Sequence, residues 1–291
     1  MRECDGVDIG ATLFVPASHK NLHTILRREK YKELKSIVID FEDGLEVSAL
    51  ESALEDLQQH LGSITNISPL VFLRPKNPDM LLRLLQLQKI EQLDGFVLPK
   101  FSLNNADAYL QLLAKTDFKI MPSIEGEELF SNTQLQKLKD ILLTAKTNIV
   151  LVRFGLEDML KVLNMRRKCE ESVFDFAVTH YVLGNFLATM KSAGFMVSGG
   201  VYPCFEDKNG FIKDVERDLK EGLFGKTIIH PNQIELANKL YRVTHKEYER
   251  AKEIVEAQSA VFSQDGMMAE KNTMLPYSQY ILKRAKVYGI C

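Results

Sequence analysis

Carboxylates placed directly after apolar runs are the residues in this sequence best suited to chemistry. Ile39-Asp40-Phe41-Glu42-Asp43, Ile124-Glu125 and Leu156-Glu157-Asp158 all follow this pattern, the last closing the run that begins at Asn148. An uninterrupted apolar run reads as a strand covered on both faces, and acids at its carboxyl end stand where an α/β fold builds its site. Six such carboxylates in one mouth would repel one another, and Arg74 and Lys100, which also end apolar runs, offset only part of the charge. A divalent cation would offset more. The donors are oxygens, with no cysteine and one histidine, His230, nearby, which points to Mg2+ rather than zinc. Magnesium takes one or two protein carboxylates and leaves its other positions to water and substrate, so Glu125 and Asp158 would suffice.

Each candidate also has a plainer role. Asp43 and Glu157 precede helical segments and would serve as caps. Arg74 is placed to fork onto a substrate carboxylate, or to form a salt bridge to Asp40 or Glu42; the two roles are compatible. Lys100 after Pro99 has the place of a Schiff-base lysine, but an acidic mouth raises its pKa and favours ion pairing. His230 in Ile229-His230-Pro231 reads as a hydrogen-bonded strand-end residue. Arg166-Arg167-Lys168 is either a phosphate-binding cluster or, more simply, a solvated loop.

The elements that must position these groups recur from Ala11 onward. Short apolar runs at Thr12–Val15, Ser36–Phe41, Leu70–Leu73, Gly95–Leu98, Lys119–Ser123, Asn148–Arg153, Phe195–Val201 and Lys226–Ile229 alternate with amphipathic segments. The helical segments include Val47–Leu61, Pro78–Gln88, Asn104–Leu113, Glu127–Leu143 and Ser172–Ala193. Eight βα units without a G-x-G-x-x-G fingerprint favour a closed (β/α)8 TIM barrel over an open doubly wound sheet. The barrel is expected over residues 1–242, with a C-terminal helical extension and lid over 243–291. In that tail Phe262–Thr273 reads as a flexible stretch between two helices.

Hydrophobic residues make up 45% and charged residues 26%, in keeping with one substantial core, and a net charge of −2 gives no reason to expect nucleic acid or an anionic membrane as partner. No stretch approaches the roughly 20 apolar residues that span a bilayer. Cys4, Cys169, Cys204 and Cys291 lack C-x-x-C spacing, so reduced thiols and a cytoplasmic, soluble protein are expected.

The motifs Leu13-Phe-Val-Pro16, Ile39-Asp-Phe-Glu-Asp-Gly44, Phe72-Leu-Arg74, Leu98-Pro-Lys100, Ile124-Glu125, Phe154-Gly-Leu-Glu-Asp158 and Gly225-Lys-Thr-Ile-Ile-His-Pro-Asn-Gln233 resemble, in order and spacing, those of the HpcH/HpaI aldolase and citrate lyase β-subunit family. The resemblance spans residues 11–276. It implies a barrel, commonly trimeric, that binds Mg2+ and makes or breaks a carbon–carbon bond beside a thioester or keto acid. It assigns Glu125 and Asp158 to the metal and Arg74 to a substrate carboxylate. Asp40, Glu42 and Asp43 become the acidic cluster that orders metal-bound water and the arginine. Candidate catalytic residues are then Arg74, Asp43 and Glu270, and candidate substrate-binding residues Arg74, Glu42, Asp40 and Lys100.

The departures from the family pattern bear on the substrate. Gly126-Glu127-Glu128 replaces the family's threonine–proline continuation, and Ala17-Ser-His-Lys20 replaces a glycine and an Arg-Pro pair, which puts contacts to coenzyme A in doubt. His180-Tyr181 stands where an alanine–arginine pair is usual. Asp265-Gly-Met-Met-Ala-Glu270 resembles the lid motif, with Glu270 in place of an aspartate that serves a neighbouring subunit as general acid or base. The expectation is a Mg2+-dependent carbon–carbon lyase acting on a carboxylated 2-oxo acid or coenzyme A thioester. A divergent enzyme with a non-CoA substrate and a non-catalytic subunit of a larger complex are the alternatives.

Overall fold

The computed structural model of the chain describes residues 2–291 and forms all eight expected strands. They are β1 Ala11–Pro16, β2 Ser36–Asp40, β3 Leu70–Arg74, β4 Gly95–Leu98, β5 Lys119–Ile124, β6 Val152–Phe154, β7 Val197–Ser198 and β8 Lys226–Ile228. All neighbouring pairs are parallel, in the order β7-β6-β5-β4-β3-β2-β1-β8. A parallel bridge between Gly199 and Lys226 joins the two ends of that order, and the Gly199 N–H donates to the Gly225 carbonyl at 2.7 Å. The sheet thus closes on itself, and its unpaired edges disappear.

Two compact units make up the chain, Met1–Ile234 and Glu235–Cys291. The division falls inside the helix Asn232–Leu240, earlier than the boundary expected after residue 242. In the first unit, Val38, Phe72, Val97 and Met121 from successive strands fill the barrel, with Phe14 packed against them. Cys4, just before the short helix Gly6–Ile9, and Ile9, its last residue, belong to the same cluster. The surrounding helices follow the apolar pattern of the sequence. Leu50–Leu61 buries Ala53, Leu54, Leu57 and Leu61 on one face, and Pro78–Leu85 opens on a proline, with the Asn77 side chain accepting from the Met80 N–H at 2.9 Å.

Several elements differ from expectation. The helix foreseen over Glu127–Leu143 is broken: a 3-10 turn Glu127–Phe130 precedes Asn132–Thr144, because extended Ser131 caps the second piece. A helix Leu156–Val162 follows β6 at once, with Glu157 and Asp158 in its first turn. Cys169 and Cys204, expected as free thiols, form a disulfide between the loop after that helix and the loop after β7. Their sequence positions carried no hint of it, since the fold alone brings residues 35 apart to a Cα separation of 5.8 Å.

The second unit packs the helices His245–Glu256 and Lys271–Tyr288 through Val243, Ala251, Ile281 and Ala285. Phe262–Thr273, foreseen as flexible, is structured. Strands β9 Val261–Gln264 and β10 Met267–Glu270 pair antiparallel around Asp265 and Gly266, whose φ values of 50° and 77° suit a tight hairpin turn.

Candidate active site

Arg74 ends β3 among the acids that follow β2. Its Nε and Nη2 donate to the two Asp40 carboxylate oxygens at 2.7 and 2.6 Å, and Nη1 lies 2.9 Å from Glu42 Oε2. The planar fork matches the carboxylate bidentately, and further guanidinium N–H groups remain for a ligand. Burial works against the charge of Arg74, but the hydrogen bond and charge of Asp40, then the charge of Glu42, more than offset it and raise the pKa. Glu42 also receives Lys100 Nζ at 2.7 Å. Burial raises the Glu42 pKa, against the opposing pull of Arg74 and Lys100. Asp43 is exposed and lies 3.9 Å from Arg74 and 3.6 Å from Lys100. The ion pairs foreseen for Arg74 and Lys100 are therefore present.

Glu125, next along from β5, is held from two sides. The Lys100 backbone adopts a left-handed φ of 46°, which aims its N–H at Glu125 Oε1 at 2.7 Å, while the Asn105 side chain donates to the Lys100 carbonyl at 2.8 Å. Ser123 Oγ approaches Oε2 at 3.2 Å. The backbone strain at Lys100 is thus tied to the carboxylate it orients. Gly155 makes room: a Cβ there would stand 2.1 Å from Glu125 Cβ and 2.5 Å from Oε2. Burial, and then the negative charge of Asp158, push the Glu125 carboxyl up to about 7.

Two acids whose charges oppose one another in this way are stabilised by a cation between them. Among the described residues no group of three or more His, Cys, Asp and Glu forms a ready-made metal cluster. A pair of carboxylates nevertheless fits the donor set of Mg2+, which completes its shell with water and substrate. Glu125 and Asp158 line two adjoining cavities, of about 330 and about 400 Å³. The smaller also takes in Phe14, Arg74, Arg153 and Thr227. The larger is lined by Glu127 and Glu128 on one loop and by Lys100 and Lys161.

A model of the C-C bond lyases of the TIM-barrel fold matches residues 3–290. The chain belongs to that family. It is 29% identical over 153 residues to the citrate lyase β subunit of Escherichia coli K12, covering 50% of this chain and 49% of that one. It is also 29% identical over 119 residues to a (3S)-malyl-CoA thioesterase of Cereibacter sphaeroides ATCC 17025, covering 41% and 40%. The chain spans at most about half the length of these curated relatives in the match. Among solved structures, a citrate lyase from Burkholderia xenovorans LB400 superposes with a TM-score of 0.73 at 18% identity, over 97% of this chain and 93% of that one. CitE from Mycobacterium tuberculosis, in complex with magnesium, acetoacetate and coenzyme A, gives 0.66 at 18% identity, over 95% and 98%. The resemblance read from the motifs is borne out, as is the barrel.

The other sequence candidates of this family member fall as follows. His230 stacks on Phe205 with centroids 4.6 Å apart and accepts from the Asn232 N–H at 3.2 Å, the structural role foreseen for it. Glu157 is exposed, and the residue capping its helix is Gly155, without a side-chain cap. Arg167 is not solvated: it is buried, with Nη1 2.8 Å from Asp214 and Nη2 donating to the Val201 carbonyl. Asp214 and Asp218 in turn hold the buried Lys226 Nζ at 2.5 and 2.6 Å. Glu270 belongs to the second unit, where it ends β10 and precedes the helix Lys271–Tyr288.

Sequence reasoning passed over Arg153. It lies on β6, is 3% exposed, and lines the smaller cavity. A lone arginine inside a buried apolar run was the signal that could have found it.

Proposed function

We propose that this C-C bond lyase is a Mg2+-dependent enzyme that cleaves, or in reverse forms, a carbon–carbon bond in a carboxylated 2-oxo acid or acyl-CoA-type substrate. The observation that carries this reading is the electrostatic opposition of Glu125 and Asp158 at the carboxyl end of the barrel, next to an arginine fixed in place by two acids. Glu125 and Asp158 would hold the cation, which when bound neutralises the pair and draws charge from the substrate oxygens. Arg74, aligned by Asp40 and Glu42, would bind the substrate carboxylate. Lys100 would position Glu125 through its backbone N–H and keep Glu42 ionised through its ammonium. Asp43, the exposed member of the cluster, would hold water at the mouth. Glu270 would move the proton, reaching the site of a neighbouring copy in a trimeric assembly.

The cavity lining favours a second reading of the substrate. Glu127 and Glu128 beside Glu125 and Asp158 make the larger cavity rich in carboxylates, a poor host for the phosphates of coenzyme A. A free acid seated at Arg74 in the smaller cavity keeps clear of that wall.

No helix of the described residues is long and apolar enough to cross a membrane. A cytoplasmic setting is part of the proposal, and the Cys169–Cys204 bond makes it testable, because disulfides rarely persist there.

A thermal-shift screen tests the function. Oxaloacetate, pyruvate or glyoxylate should stabilise the protein only with Mg2+ present, and acetyl-CoA should add little. Stabilisation by none of them would contradict the enzyme reading.

A further inference from the structure

Beneath the two carboxylates, the floor of the smaller cavity is unusually polar for a barrel interior. Arg153 on β6 is register partner to Ser123 on β5 and to Ser198 on β7, so the three side chains share the inward face. Arg153 Nη2 donates to the Thr227 hydroxyl on β8, and Nη1 lies 3.8 Å from the Met121 sulfur. Ser198, 1% exposed, has a buried hydroxyl with no hydrogen-bond partner among the described residues. Leaving a buried hydroxyl unmet is costly, and strand interiors of this fold are normally filled by branched apolar side chains.

A second relationship gives this floor a direction. The Arg74 and Arg153 guanidinium carbons stand 5.2 and 5.0 Å from the centroid of the same Phe14 ring. Two cations that always carry charge therefore flank one aromatic ring in one cavity of about 330 Å³, with Glu125 and Asp158 on its wall. That volume suits a small organic acid. A substrate with one carboxylate at Arg74 would extend its other end toward the floor.

We infer that Arg153, oriented by Thr227 and accompanied by the Ser198 hydroxyl, binds a second carboxylate of the substrate and so selects dicarboxylic over monocarboxylic 2-oxo acids. This rests on the proposed 2-oxo acid site, and its test is arranged to separate the two. The fork of an arginine matches a carboxylate in a way a methyl group cannot, and a polar site rejects an analogue that leaves its donors unpaired.

Freshly dissolved oxaloacetate and 2-oxobutyrate have chains of equal length, and only the former carries a second carboxylate. In calorimetric titrations with saturating Mg2+, the protein should bind oxaloacetate roughly tenfold or more tightly than 2-oxobutyrate. Arg153→Gln should bind the two alike, with 2-oxobutyrate affinity and Mg2+ affinity not lowered. Arg153→Lys, with charge but no fork, should fall between. Thr227→Val, a milder change that serves if Arg153→Gln does not fold, should cut the preference for oxaloacetate without weakening 2-oxobutyrate. A preference that survives Arg153→Gln at the original ratio, or, should that variant not fold, survives Thr227→Val, overturns the inference and leaves the metal site standing. Failure of the unaltered protein to bind Mg2+ overturns the proposed function itself.

Discussion

Glu125 stands in the space that a side chain at Gly155 would fill: a Cβ built there lies 2.1 Å from the Glu125 Cβ and 2.5 Å from Oε2. The glycine at the start of the helix carrying Asp158 is thus what lets the acid after β5 face the acid after β6. Replacing Gly155 by alanine should push Glu125 off the Lys100 N–H. The expected outcome is a loss of about 10–100-fold in Mg2+ affinity, with an overpacking cost of about 1–3 kcal/mol in a denaturant titration.

The raised pKa of Glu125 gives the site a definite pH response. Its folded value of about 7 exceeds the ordinary 4.5, so the metal-free folded protein holds a proton that the unfolded chain releases. The stabilising contribution is fully present below the unfolded value and is lost as pH rises from about 4.5 through about 7. Metal-free protein should therefore lose melting temperature over this interval through Glu125, and Mg2+ should restore it most at the alkaline end. Mg2+ affinity should fall on acidification below about 7, because the cation competes with the proton. Melting curves across pH with and without Mg2+ check both signs, and Glu125→Gln should flatten the difference.

The buried cluster behind the barrel wall makes a separate prediction about stability. Lys226 compensates Asp214 and Asp218, and Arg167 supports Asp214. Lys226→Met leaves buried Asp218 without its cation and Asp214 with Arg167 alone, and should cost about 3–5 kcal/mol in chemical denaturation. Adding Asp214→Asn and Asp218→Asn to that variant should recover part of the loss.

The Cys169–Cys204 bond fixes the outcome of a thiol count. Unfolded protein, kept oxidised, should react at two thiols, Cys4 and Cys291. Folded protein should react quickly only at exposed Cys291, because burial, then the charge of Asp94, pushes the Cys4 thiol up to about 12. Cys204→Ser should lower stability by about 2–4 kcal/mol. Four thiols in the unfolded, oxidised protein would contradict the bond.

The barrel was legible because eight apolar runs, each followed by an amphipathic segment, leave little choice of architecture. The acids at strand ends were legible for the same reason, since register decides which residues reach the mouth. What escaped the sequence depended on contacts between distant segments. Arg153 read as part of an apolar run, since its inward direction follows only from pairing with Ser123 and Ser198. Arg167 read as solvated until the fold placed Asp214 beside it. The hairpin at Asp265-Gly266 carries a local signal, an Asp-Gly pair, that the reading of Phe262–Thr273 as a flexible stretch passes over.

The proposed site is centred on the pair Glu125 and Asp158. Calorimetric titration of Mg2+ into the protein and into Asp158→Asn, with circular dichroism to confirm an intact fold, addresses it most directly. A single Mg2+ site per chain is expected in the unaltered protein, with no measurable binding in Asp158→Asn. Equal Mg2+ affinity in the two would contradict it.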